Sequence, residues 1–427
     1  MAQGMSAGSR QRVAVVGAGI SGLGAAWLVS QSHDVVLYEA EARLGGHART
    51  VDVDIPPVGV HPVDTGFIVF NRVTYPHLCG LFAHLGIPVQ MSCMSFAVSV
   101  DDGAIEYGSN GIRAILAQPR NAIRPAWWRM MRDIGEFYRS AVADTRRNPG
   151  MSVGEMVARR GYGSWFVRHY LLPMGGAIWS QPDADMLDFP ADLLTRFFAN
   201  HGLLSFSGRH QWWTVTGGSS NYIDRMVDTM ATEIRLRSPV RAVRRTEKGI
   251  RVVASGKEET YDAIILACHT DTALAILKDA KPEERRILGQ IRYGSNRIVL
   301  HRDTRMMPRR RACWSSWVSL TRSGGHERAA MVSYWMNSLQ GLPGAVVVIV
   351  TMNPPPSLDQ DTILDETHFS HPRYDRAALD AQEALPTING HAGTWYCGAW
   401  TGNGFHEDGL ASAVTVARAF GVIPPWI

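Results

Sequence analysis

His406, Glu407 and Asp408 stand side by side in Gly398–Ala413, GAWTGNGFHEDGLASA, a stretch otherwise made of glycine, small residues and aromatics. An imidazole next to carboxylates can exchange a proton near neutral pH, so His406 and Glu407 are candidate catalytic bases, with Tyr75 behind them. The other glycine-rich loop, Gly17-Ala-Gly19-Ile20-Ser21-Gly22, lies at the opposite end of the chain and carries no titratable side chain. Its G-x-G-x-x-G spacing points to phosphate binding by backbone amides. Gly17 permits the tight turn, Gly19 lets the backbone approach a pyrophosphate, and Gly22 lets a helix lie close to a strand. His368 and His371 have ligand-like spacing, but no cysteine or carboxylate set accompanies them. They read as a polar turn, and no metal is expected.

The elements that must position these residues are legible around them. Residues 12–16, Arg-Val-Ala-Val-Val, form a continuous apolar run bounded by glycine, the pattern of a buried parallel strand. Residues 20–31 supply the helix whose N-terminal amides favour phosphate. A second strand, Val35 to Tyr38, leads into Glu39 and Ala40, and Glu39 lies twenty residues beyond Gly19. A carboxylate there accepts the hydroxyls of an adenosine ribose and repels a 2′-phosphate. Further along, Gly249–Ala254 alternates as a strand and Ala263–Cys268 reads as a buried one.

The chain has 427 residues, 45% of them hydrophobic and 19% charged, enough for two or three globular domains. Net charge is only +4, and the 43 basic residues include just four lysines, all within 248–281. No basic stripe or finger motif accompanies that charge, so nucleic acid is not an expected partner. The five cysteines are scattered with no C-x-x-C pair, which fits a reducing compartment. Arg10 and Arg12 before apolar residues 13–29 imitate a signal peptide, but Gly17, Gly19, Gly22 and Gly24 break the run. No apolar run reaches the ~20 residues needed to span a bilayer. The expected location is cytoplasmic, with contact at the inner membrane face allowed.

Residues 41–50, Glu-Ala-Arg-Leu-Gly-Gly-His-Ala-Arg-Thr, decide between the dinucleotides. Here the chain resembles the flavin amine oxidase and phytoene desaturase superfamily, whose dinucleotide loop is followed by an R-x-G-G-R/H-x-x-T segment. Arg43, Gly45, Gly46 and Thr50 match, with His47 where many members have arginine. The resemblance implies FAD, with Arg43, Gly45, Gly46 and His47 along the pyrophosphate and ribityl chain. It extends the cofactor set to Thr65, Gly66, Val240, Gly398, Gly409 and Leu410. Leu236–Val240 resembles the strand whose backbone contacts adenine. A discontinuous α/β Rossmann-type FAD domain is implied, built from 1–75, 206–299 and 390–427, with a mixed α+β substrate domain from 76–205 and 300–389. That arrangement explains the distant loops: they grip opposite ends of one extended cofactor. A helix starting near Gly409 would point its positive end at the flavin. Many relatives have Gly-Asp where this chain has Gly398-Ala399, so that contact is either missing or supplied by Glu407 or Asp408.

Val63–Asn71, Met94–Phe96, Pro173–Ser180 and Gly404–Gly409 resemble a bacterial NAD/FAD-binding subgroup associated with cyclopropane-fatty-acyl-synthase-like methyltransferases, some linked to furan fatty acids. That likeness implies desaturation of a methylated, unsaturated phospholipid acyl chain to a conjugated diene. Double-bond isomerisation and oxidation of a small amine are the alternatives. The amine-oxidising members hold a water with a lysine on a strand that here reads Arg292-Tyr-Gly-Ser-Asn-Arg-Ile-Val299, without lysine. Leu193–Trp213 is aromatic enough to line an apolar tunnel. Ile115–Arg147 and Met306–Trp314 are basic, tryptophan-bearing segments that suit either an anionic lipid interface or a core-facing position with arginines reaching to solvent.

Overall fold

The computed structural model describes residues 10–321, 330–344 and 346–427. Residues 1–9, where the first expected domain segment begins, and 322–329 and 345, within the last substrate segment, lie outside the described residues.

The apolar runs form a five-stranded parallel sheet in the order Thr232–Arg235, Asp34–Tyr38, Arg12–Val16, Ala263–Leu266, Thr394–Tyr396. Val13 is level with Val35 on one side and Ala263 on the other, and all three are buried. Both faces of this sheet are covered, which is why its strands read as unbroken apolar stretches. Its edge strand, Thr394–Tyr396, comes from the far end of the chain and leads into the last loop and the last helix, His406–Ala419. That helix lies against the first helix, Ile20–Val29. A Cβ on Gly24 would come within 2.7 Å of Leu410 Cδ1, so the missing side chain lets the two helices touch. An antiparallel three-stranded sheet, Val240–Thr246, Gly249–Ala254 and Lys257–Tyr261, caps the cofactor half.

The other half is a seven-stranded mixed sheet ordered Ile363–Arg373, Arg292–His301, Ile349–Met352, Val332–Trp335, Trp317–Thr321, Phe96–Val100, Ile105–Gly108. Helices led by Pro125–Arg147, Leu172–Trp179 and Ala191–Asn200 form its remaining bulk. The expected boundary at 299 falls inside Arg292–His301, which pairs along its length with Ile363–Arg373. Likewise Trp212–Val215, placed by sequence with the cofactor segment, pairs with Phe70–Asn71 and Val89–Ser92. The two halves therefore share strands at their seam.

Three local expectations are corrected. Leu236–Pro239 is a turn with Arg237 at φ 49°, and only Val240 enters a strand. His368 and His371 lie in the strand Ile363–Arg373, not in a turn. The last helix begins at His406, with Gly409 already inside it, because Asp408 folds back to accept the Phe405 amide at 2.9 Å.

Candidate functional site: a dinucleotide cradle and an aromatic mouth

The first loop has the geometry its glycines require. Gly17 sits at φ 99° with its amide on the Tyr38 carbonyl, and a Cβ on Gly22 would fall 1.8 Å from the Gly17 oxygen. A Cβ on Gly19, by contrast, would meet no protein atom within 4 Å. The loop is packed tightly at Gly17 and Gly22, while open space remains beside Gly19 at the start of the helix. Glu39 holds the floor of this cradle: its carboxylate accepts the Ala18 amide at 2.7 Å and the Glu41 amide at 2.8 Å. The turn before Val240 is brought alongside, with the Ser238 amide on the Glu39 carbonyl at 2.8 Å and the Arg237 amide on the Glu41 carbonyl at 2.9 Å. Ala40 is exposed at this end.

The R-x-G-G-H segment runs against the same loop. The Gly45 amide donates to the Ala18 carbonyl at 2.8 Å, and Gly46 packs with its Cβ position 3.0 Å from Gly19 Cα. Arg43 pairs with Glu41 at 3.2 Å. Thr65 and Gly66 are laced to the segment from the other side: the Thr65 amide meets the Arg49 carbonyl, and a Cβ on Gly66 would strike the His47 carbonyl at 1.8 Å. Arg49, which sequence reasoning passed over, anchors the lacing by a bidentate pair with Asp365 at 2.5 and 2.9 Å.

His47 is not a positive charge standing in for arginine. Its Nε2 meets the Ser370 carbonyl at 3.2 Å, and its ring stacks on Phe369 at 4.5 Å with His371 and His269 nearby. Burial, helped by those neighbouring imidazoles, holds it well below the ordinary histidine range. His371 is pushed down to about 4 by burial and meets the Asn296 side chain at 2.9 Å. Asn296, on Arg292–His301, is itself buried, and no lysine among the described residues lies on that strand.

The last segment closes the cradle. Gly409 packs where a Cβ would come within 2.8 Å of both Ile20 Cγ2 and Ser21 Oγ, and Gly398 donates its amide to Ser412 Oγ at 2.9 Å. Leu410 is fully buried beneath. Two buried polar atoms beside this loop, Tyr374 Oη and Trp400 Nε1, have no protein partner among the described residues. Unpartnered donors and an open Gly19 face are what a site shaped for a polar dinucleotide presents.

The three side chains that opened the sequence analysis part company here. Glu407 turns to the helix Pro76–Leu85 and accepts the amides of His77 at 2.8 Å and Leu78 at 2.9 Å, satisfying that helix's N-terminus. Burial pushes its carboxyl up to about 7, against the pull of those two amides. Asp408 is the cap of the last helix. Neither carboxylate is free to make the contact that Ala399 lacks, and Glu407 has a helix to hold instead of a proton to move. Only His406 stays with the site, its Nε2 2.9 Å from Tyr222 Oη and its ring stacked on Phe67 at 3.8 Å and 11°. Burial pushes it down to about 3, so it is neutral at pH 7 and does not titrate there, as had been expected of it. Tyr75 is buried and held above the ordinary phenol range.

Around His406 the packing is aromatic. Phe405 stacks on Phe197 at 4.8 Å, and Phe197 in turn contacts Trp179 and His201. Within the segment expected to line a tunnel, Phe197 and Trp212 join this wall, Phe198 is in the core and Phe206 is exposed. Tyr222 and Phe67 were not singled out from sequence. Tyr222 lies on an amphipathic helix, where an inward tyrosine looks like any core residue.

The sequence profile of the flavin-containing amine oxidoreductases matches residues 20–367. The chain belongs to that family. Its cofactor is FAD, and it is a flavin-dependent oxidoreductase of the amine-oxidase fold. No curated protein matches by sequence. Among solved structures, a conjugated-linoleic-acid-producing fatty acid isomerase from P. acnes superposes with TM-score 0.66 at 15% identity, over 97% of this chain and 99% of that one. A putrescine oxidase double mutant gives 0.69 at 15% over 96% and 99%. Cyclohexylamine oxidase from Brevibacterium oxydans gives 0.67 at 15% over 96% and 99%. At such identities the likeness is one of fold. No helix among the described residues is long and apolar enough to cross a membrane.

Proposed function

We propose that this flavoprotein removes two hydrogens from an unsaturated, methyl-branched phospholipid acyl chain to give a conjugated diene, as the likeness to the methyltransferase-associated bacterial subgroup implies. The supporting observation is the fate of the carboxylates beside His406. Glu407 and Asp408 both turn onto backbone amides, so neither is free to hold an ammonium group beside His406. Phe405, Phe197, Trp179 and Phe67 suit a hydrocarbon. The strand expected to carry a lysine carries buried Asn296.

Bound FAD supplies an acceptor for the hydride of an allylic C–H, the carbon best able to bear developing positive charge. The cradle from Gly17 to Gly22, with Glu39, the Arg43–His47 segment and Gly409, would hold that cofactor. The stacked aromatics exclude water from the apolar chain and orient it. The proton on the adjacent carbon needs an acceptor, and we assign that role to His406, whose imidazole is kept neutral by burial. When Nε2 carries the ring proton and donates to Tyr222, Nδ1 is the basic nitrogen. Hydride leaves one carbon, a proton leaves its neighbour, and the electron pair becomes the new double bond. The test is anaerobic mixing of purified protein with a methylated unsaturated phospholipid, following flavin absorbance and product mass. Bleaching with loss of two hydrogens is the expected result; bleaching by small amines alone would overturn it.

A second reading, positional isomerisation of a double bond, is favoured by one feature. An imidazole pushed to about 3 is a weak base, and isomerisation that returns the hydride to the chain needs no net proton acceptor. Unchanged product mass with a shifted double bond would select it.

A further inference from the structure

The segment from Tyr107 to Arg132 carries five arginines, Arg113, Arg120, Arg124, Arg129 and Arg132, and no acidic residue. It also exposes large apolar side chains: Ile123 is 83% exposed, Ile112 73%, Trp128 57% and Leu116 40%. The first turns of the long helix Pro125–Arg147 add Trp128, Arg129 and Arg132 to this patch, but no other exposed large apolar side chain. Its apolar stripe of Trp127, Met130, Ile134 and Phe137 is buried, as the core-facing alternative required, and only Trp128 of that set's neighbours faces out. In the second basic segment Met306, Met307 and Cys313 are buried as well. Ile112, Leu116 and Ile123 belong to the turns just before the long helix, and with Trp128 on its first turn they form one shoulder.

That shoulder is firmly built. Buried Gln118 accepts the Glu106 amide at 2.9 Å, and buried Asn121 donates to the Glu106 carbonyl at 3.3 Å, fixing the turn from beneath. The Trp128 indole N–H donates to the Ala122 carbonyl at 2.7 Å, holding its ring beside the turn that carries Ile123. The Arg124 guanidinium lies 5.6 Å over Trp165, and Trp128, Arg129, Arg132 and Trp165 line one surface groove. A rigid frame whose polar groups are satisfied inward, while isoleucine, leucine and tryptophan point outward among arginines, is the composition of an interfacial anchor. Isoleucine side chains have nothing to gain on a nucleic-acid backbone, whereas at a bilayer they enter the headgroup–acyl boundary as arginines meet lipid phosphates. The flanking carboxylates are buried: Asp133 lies 3.2 Å from Arg132 and 3.9 Å from Arg129, whose side chains still reach solvent, and Glu106 sits beneath the turn, while Asp101 and Asp102 stand at the edge next to Gly103, whose carbonyl accepts from Arg120.

We propose that this shoulder docks the protein on an anionic phospholipid bilayer, with Ile112, Leu116, Ile123 and Trp128 inserted and the five arginines on the headgroups. Its purpose rests on the acyl-chain reading above, since a substrate held in a bilayer must be reached from its surface; its geometry does not.

The test is flotation of the yellow holoprotein with phosphatidylcholine vesicles, with and without phosphatidylglycerol. Binding is expected only with phosphatidylglycerol and should weaken with salt. Ile123→Asp with Trp128→Asp, and separately Arg113→Glu with Arg120→Glu, should each lower partitioning by roughly tenfold or more, with flavin absorbance and turnover of detergent-dispersed substrate unchanged. Wild-type protein that stays unbound, or variants that float equally well, overturn the proposal. So does retention by nucleic acid alone, or self-association abolished by Ile123→Asp. Vesicle binding without acyl turnover would keep the docking face and remove the function; acyl turnover in detergent without vesicle binding would do the reverse.

Discussion

His406 carries the sharpest chemical prediction at the scale of single residues. With its neighbours occupied elsewhere, His406→Ala should retain FAD while slowing product formation at least ~100-fold if it takes the proton. Wild-type rates in stopped flow would remove it from the mechanism, and the isomerase reading expects that outcome. Because burial keeps the imidazole neutral down to about pH 3, its deprotonation cannot produce a rate step near pH 6.5. Glu39 acts on binding instead. Its carboxylate orders the Ala18 and Glu41 amides beside the glycine loop, so Glu39→Gln should weaken FAD by about 1–3 kcal/mol, read by ultrafiltration of released flavin. His47→Arg is instructive for a different reason. It would place a fixed charge among Phe369, His371 and His269, where burial already opposes one.

Contacts between elements depend on a few absent side chains and one carboxylate. Gly409→Ala would drive a Cβ to 2.8 Å from Ile20 and Ser21, prising the last helix off the first. Loss of bound flavin together with a lower melting temperature is expected, whereas a merely local turn would tolerate the change. Glu407 ties the last helix to Pro76–Leu85 through two amides. Glu407→Ala should therefore cost about 1–3 kcal/mol of stability in a denaturant titration, since it leaves two donors at a partly buried helix end. An effect on the chemical step with stability untouched would restore Glu407 as a base.

Across the whole molecule, buried histidines set the response to acid. His169, His201, His301 and His371 are each pushed down to about 4 by burial, and His406 to about 3. Unfolded histidine binds a proton near pH 6.5, and the folded forms do not until far lower. The unfolded state therefore holds more protons between those values, and stability falls as pH drops below about 6.5, by about 1.4 kcal/mol per unit for each such group. Asp64, raised to about 6, and Glu407, raised to about 7, work the other way: they favour the folded state below their unfolded values and lose that advantage as pH rises. Two carboxyls against five histidines leave a net loss of stability from pH 6.5 to 5, visible in melting curves. A flat profile there would show that the histidines are hydrated.

The cofactor half was legible because its determinants are local. A glycine at φ 99°, an unbroken apolar strand and an acid at the next strand's end are properties of consecutive residues, and Gly17, Gly22 and Glu39 take the places their spacing implies. The return of the last segment was implied by the resemblance to the flavin amine oxidase superfamily, not by local pattern. What the sequence could not assign was the use of charge. His406, Glu407 and Asp408 are adjacent in the chain, yet one faces an aromatic mouth, one caps a neighbouring helix and one caps its own. That sorting depends on which backbone amides lie within reach after packing, as does the burial that neutralises His47. The arginine-rich segment before the long helix shows the same division: its composition allowed a core or a membrane, and tertiary contacts sent Trp127 inward while leaving Ile123 and Trp128 outside. Spacing along the chain is written in the sequence, but which side of a packed element meets water, lipid or a partner is fixed only when distant segments compete for the same buried volume.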